Sequence, residues 1–169
     1  MKRMFFSLFL LTLVLLCSCA APRGDFFDVF CGSYTAELEG TLYGFDFCAT
    51  LAMERCEGDG VPPATVTFYA PEEISGTVIT RAGDGTVTLT AGELTVSDMG
   101  GVGTALFSLF PTDAAVTESA VTAQGHTLVR FEGGELTFLA DGTPYTVKTP
   151  DVTATVVEFK QVGARDSNK

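Results

Sequence analysis

The chain has 169 residues, 46% of them apolar and only 18% charged, with a formal net charge of −11. That length allows one ordinary domain plus a targeting segment, and the apolar share is enough for a core that needs no metal. Without Lys2 and Arg3 the balance is more acidic still. Such a surface repels phosphate backbones and anionic headgroups, so nucleic acid is excluded as a partner.

Met1, Lys2 and Arg3 form a positive start, and Met4 to Leu16 is apolar apart from Ser7 and Thr12. This run is too short for a bilayer, which takes about 20 residues, and it fits the apolar region of a secretory leader. At its end, Leu16-Cys17-Ser18-Cys19 resembles the bacterial lipobox, with Cys19 at the modified position. Leu16 is too large to precede the cut, so Cys17 does not fit. The resemblance implies a diacylglyceryl group on the Cys19 thiol and cleavage before it. Two or three acyl chains hold a protein on a membrane where one alone is marginal. The plainer alternative is an ordinary leader cut near Ala20-Ala21, with Cys19 incidental. Ala20 is not Asp, so the inner-membrane retention signal of two-membrane cells is absent. The expected layout is leader 1–18, lipidated tether 19–24, β domain 25–162 and polar tail 163–169.

"GDFFDVFCG" at 24–32 predicts a short helix presenting Phe26, Phe27 and Phe30, ended by Gly32. Alternating strands follow. Tyr34, Ala36, Leu38 and Leu42 share one face, and Phe45, Phe47, Ala49, Leu51 and Met53 share another. Tyr43-Gly44 reads as a two-residue hairpin turn. Pairing Leu42 with Phe45 then sets Leu38 against Ala49, Ala36 against Leu51 and Tyr34 against Met53. Every apolar residue meets an apolar one. The same register carries Cys31 opposite Cys56, a separation a disulfide can span, and leaves Cys48 opposite Glu39. A helix at 24–32, or one bulge, would undo that pairing.

Strands are predicted at "ATVTFYA", closed by Pro71, and then at "ISGTVITR", "TVTLT" and "ELTVS". Gly100, Gly101 and Gly103 interrupt the pattern, and "VGTALFSLFP" reads as a short apolar helix before Pro111. Strands resume at "SAVTA", "HTLVRFE", "ELTFLA", "PYTVKT" and "VTATVVEFKQV". Asp84-Gly85-Thr86 is echoed by Asp141-Gly142-Thr143, as if one hairpin chemistry were used twice. The expected fold class is mainly β. It is a single curved, unclosed antiparallel sheet of about 10–11 strands, half-barrel-like, covered by one or two short helices.

This order of elements resembles the periplasmic lipoprotein carriers and outer-membrane receptors of the Lol family, and related lipid-binding lipoproteins, over roughly residues 24–160. The resemblance implies a hydrophobic cavity under helical lids. The carriers have an arginine in the cavity, and Arg81 and Arg130 are the candidates for that place.

Little here points to catalysis. His126 is the only histidine and stands at a strand start, where a surface or turn role is the rule. No Cys or His pair has zinc spacing. "GGVG" at 100–103 hints at an anion site before a helix, or is simply a flexible turn. Glu57 and Asp59 offer calcium oxygens in a loop too short for a calcium loop, or are a solvated turn. The carboxylates are scattered, so no acid–base pair stands out. The suggestive feature is phenylalanine. Eleven follow residue 19 and tryptophan is absent, so Phe45, Phe47, Phe68, Phe107, Phe110, Phe131 and Phe138 are candidates to line a cavity or simply to fill a core. The expectation is a monomeric, non-enzymatic lipoprotein outside the cytoplasm, anchored in a membrane, with no cofactor or metal. It would bind lipid, another hydrophobic ligand or an acylated client, or else act as a tethered interaction module with no cavity.

Overall fold

The computed structural model describes residues 26–55, 60–98 and 100–162. The predicted leader, Cys19, Cys56, Glu57, Asp59 and the predicted tail lie outside the described residues. Eleven strands form one antiparallel sheet. In chain order they are β1 (Ser33–Leu42), β2 (Phe45–Met53), β3 (Ala64–Ala70), β4 (Val78–Arg81), β5 (Val87–Ala91) and β6 (Leu94–Ser97). Helix α1 (Gly100–Phe107) follows, and then β7 (Val116–Val121), β8 (Thr127–Phe131), β9 (Gly134–Phe138), β10 (Pro144–Lys148) and β11 (Val152–Val162).

Across the sheet the order is β6-β5-β4-β3-β2-β1-β11-β10-β9-β8-β7. Two meanders therefore meet at β1 and β11, the longest strands, and α1 links the two outermost strands. Since β6 and β7 are edges and do not pair with each other, the sheet stays open. Among the described residues no helix is long and apolar enough to cross a membrane.

The β1–β2 register is the one the apolar pattern dictates, from Leu42 opposite Phe45 to Tyr34 opposite Met53. Tyr43 and Gly44 both have positive φ, 50° and 83°, the signature of the tight turn whose twist matches the strands it joins. The alternation continues outward. Ala36, Leu51, Val66, Ile79, Leu89 and Val96 form one row across six strands on the inner face. The outer face carries cross-strand threonine pairs such as Thr50–Thr67 and Thr65–Thr80.

Two features of the centre depart from simple alternation. The β1–β11 register shifts between Glu37 and Leu38, leaving Val157 as an extra residue on β11. Val152, Ala154 and Val156 face inward before the bulge. Beyond it the parity reverses, and Phe159 turns in to pack 5.2 Å from the Tyr34 ring. At Gly40 a Cβ would collide with the carbonyl oxygen of Thr153 and lie 2.6 Å from Cα of Ala154. The two central strands can pass there only over a glycine.

The helical expectations need correction. Of the stretch 24–32, the described residues 26–32 do not form an amphipathic helix. Asp28–Phe30 makes a single 3-10 turn, closed by Cys31 N–H donating to Asp28 O at 3.1 Å. Three phenylalanines in so short a stretch act by burying rings, not by making a helical stripe. The glycines of "GGVG" do not precede α1 but make its first turn, so the fold has one α-helix among the described residues. Gly103 lies within it because a Cβ there would come within 2.5 Å of Val87 Cγ1.

Candidate binding site under the helix

Register places the site. Tyr34 is opposite Met53, Met53 opposite Ala64, and Ala64 opposite Arg81, so all four lie in one row at one end of the inner face. The C-terminal end of α1 brings Phe107 over this row, and Phe110 follows. Together with Phe30 and Pro62 they line an open hollow of about 490 Å³.

Tyr34 is only 1% exposed, and its hydroxyl has no hydrogen-bond partner among the described residues. Its ring is gripped by Phe159, by Phe110 edge-on at 5.9 Å and by Phe30 at 5.8 Å. Arg81 is half-buried. Its Nε donates to the Pro62 carbonyl at 3.0 Å, and Nη2 stands 3.4 Å from Met53 Sδ. The guanidinium lies over the Phe107 ring at 4.9 Å, a cation–π distance. No carboxylate of the described residues pairs with Arg81; the ion pairs there are Arg130–Glu118, Arg130–Glu135 and Lys160–Glu158. Burial pushes the Tyr34 hydroxyl well above the usual phenol range, and the charge of Arg81 pulls it back only in part. It is a neutral O–H donor at every physiological pH. Burial also lowers Arg81, with the nearby Tyr34 opposing.

A second hollow, of about 280 Å³, opens at the opposite end of the same strands. Its walls include Phe45, Phe47, Phe68, Ile74, Leu89 and Val102, and almost no polar surface reaches it. Phe45 stands at its mouth with 78% of its surface exposed, while Phe47 and Phe68 are buried behind it.

The phenylalanines singled out in the sequence thus separate. Phe107 and Phe110 line the larger hollow, and Phe45, Phe47 and Phe68 the smaller. Phe131 and Phe138 line neither; they pack against Phe27 at 5.8 Å and Phe26 at 6.0 Å. Of the two candidate arginines, Arg81 faces the covered side, whereas Arg130 is exposed on β8 and paired with Glu118 and Glu135. Alternation from Ile79 to Arg81 was the available signal for the inward arginine. Nothing local marked Tyr34 as an orphaned hydroxyl. Cys31 is exposed just ahead of β1, and Cys48 is opposite Glu39 on the outer face. The His126 ring packs 5.4 Å from that of Tyr145. No cluster of three or more His, Cys, Asp or Glu among the described residues has metal-binding geometry.

An open antiparallel sheet with one helix across its inner face defines the class of fold. No family model matches the chain, and no curated protein does. Among solved structures, an uncharacterized conserved protein from Thermus thermophilus superposes with a TM-score of 0.52 at 16% identity, over 82% of this chain and 83% of that one. A domain from Vibrio parahaemolyticus, described as an outer membrane lipoprotein-sorting protein, gives 0.45 at 12% identity, over 86% and 89%. The first likeness is one of fold alone, and the second is too distant to carry an argument.

Proposed function

We propose that this protein is a lipoprotein of the cell envelope, tethered by lipid on Cys19, that holds a hydrophobic ligand or the acyl part of a client under helix α1 without transforming it. The tether rests on the basic start, the short apolar run and the spacing of Cys19. The observation that carries the binding function is the hollow of about 490 Å³ walled by Phe30, Phe107 and Phe110. It falls in the size range of small-ligand sites and has the few inward polar groups such sites use for orientation.

Native mass spectrometry of the full-length chain extracted from membranes is the direct test. Co-purifying lipid supports the reading. A ligand-free protein that also takes up no added alkyl compound overturns it. The tether is tested separately: Cys19→Ala is expected to release the protein from membranes, and a variant that stays bound refutes the lipid anchor.

A second reading is favoured by the sheet edges. β6 and β7 each pair on one side only, with Leu94 and Val121 exposed on them, which suits addition of a partner strand. A pull-down that returns only lipids counts against it.

A further inference from the structure

We propose that the larger hollow recognises the anionic head of an alkyl amphiphile, a carboxylate or phosphate, through the Tyr34 hydroxyl and the Arg81 guanidinium. This deepens the apolar-ligand reading above and rests on it.

Three observations converge. The first is Tyr34, which lines the hollow and whose buried hydroxyl lacks a partner among the described residues. Buried hydroxyls in native folds are nearly always bonded, and an orphan at a cavity wall is accounted for when a ligand completes the bond. The second is Arg81. A chain with 21 acidic and 10 basic side chains has supplied no carboxylate to this half-buried guanidinium among the described residues. Its Nε is committed to Pro62 and one face to Phe107, which fixes the plane of the fork. With Nε and Nη2 engaged, the fork still has donors to spare at Nη1.

The third is composition. The apolar part of the wall, which includes Phe30, Phe107, Phe110 and Pro62, suits an alkyl chain. The other charged residues, Glu54, Arg55 and Asp113, stand exposed at the rim and form no ion pair with Arg81. A neutral tail would leave both the hydroxyl and the guanidinium unanswered, and a cationic head would face Arg81. An anionic oxygen accepts from both, and charge-assisted bonds of this kind are the strong ones.

Equilibrium dialysis of the full-length chain with dodecanoate, dodecyl phosphate and dodecanol separates head from tail. At least one anion is expected to bind about tenfold or more tighter than the alcohol. Binding by one anion and not the other supports the proposal and names the source of the head. Tyr34→Phe is expected to weaken the anion about fivefold while the thermal midpoint holds or rises, because the lost hydroxyl was unbonded. Arg81→Gln, with fold checked by circular dichroism, is expected to bring the anion-to-alcohol ratio close to one. Equal binding of all three compounds by the native chain overturns this assignment and leaves the apolar-ligand reading standing. So does a ratio that survives both substitutions. If none of the three binds, the apolar-ligand reading itself fails, and this proposal with it.

Discussion

Over β8, β9 and β11 the inner face meets aromatic rings brought from outside the sheet. Phe27 packs edge-on against Phe131, Phe26 against Phe138, and Phe30 against Phe159. Over β2–β5 the main cover is α1, eight residues of which three are glycine, with Ala105, Leu106 and Phe107 buried beneath it. The strands of both halves follow the same inward–outward alternation. One half is filled and the other is only roofed; the smaller hollow lies under the roof, and the larger one lies where roof and filling meet, at Phe107, Phe110 and Phe30. Cavity formation here depends on what is laid over a strand, not on the strand.

Emptying the filled half is the most severe way to break this contrast. Phe30 is 2% exposed, stacks on Phe110 at 4.9 Å and touches Tyr34, Phe138 and Phe159. Phe30→Ala is expected to cost about 3–5 kcal/mol in urea unfolding, the usual range for a buried aromatic. A loss below about 1 kcal/mol would mean that half is not tightly packed.

Lifting the roof comes next. Gly103→Ala presses a methyl group against Val87. Overpacking costs about 1–3 kcal/mol, offset by about 1 kcal/mol of better helix propensity. The net expectation is a small destabilisation, with hydrogen exchange faster at Ala105–Phe107 and unchanged in β9. Equal acceleration in both places would show that roof and filling move as one.

The gentlest comparison uses a turn that both halves share. Thr86 N–H donates to Asp84 Oδ1 at 2.9 Å between β4 and β5, and Thr143 N–H to Asp141 Oδ1 at 2.9 Å between β9 and β10. These backbone hydrogen bonds hold both carboxyls below the usual carboxylate range. A depressed folded-state value means that the stabilisation is present above the unfolded-state value, about 3.9, and is lost as pH falls through the folded one. Thermal melts between about pH 5 and pH 2 should weaken, and the Asp84→Asn and Asp141→Asn variants should each flatten that slope by a similar small amount. Unequal flattening would show that the covering, filled or roofed, reaches as far as the turns.

Much of the architecture was legible along the chain. Leu42 to Phe45 sets a register that holds as far as Tyr34 and Met53, because both strands alternate cleanly and a positive-φ turn ties them. The repeated Asp-Gly-Thr likewise marks two loops with the same hydrogen bonds. The 3-10 turn at Asp28–Phe30 was not legible, since three phenylalanines within five residues fit a helical stripe and an aromatic plug equally well. Nor was the bulge at Val157. Val156 and Val157 are chemically identical, and only the match to β1 decides which of them faces inward. Half of the candidate site was within reach. Alternation turns Arg81 the same way as Ile79, but the missing partner of Tyr34 is a property of its surroundings.

The sequence by itself determined the strands, the hairpin turns and which side of each strand is apolar. These follow from period-two patterning and turn chemistry, which act between neighbours in the chain. Tertiary structure decided that β11 returns to pair with β1, that the N-terminal phenylalanines fill one half, and that α1 roofs the other. It also decided that Tyr34 and Arg81, three strands apart in the sheet, line the same hollow. A hollow is the space left when distant segments fail to fill a surface, and no single segment carries the record of that mismatch.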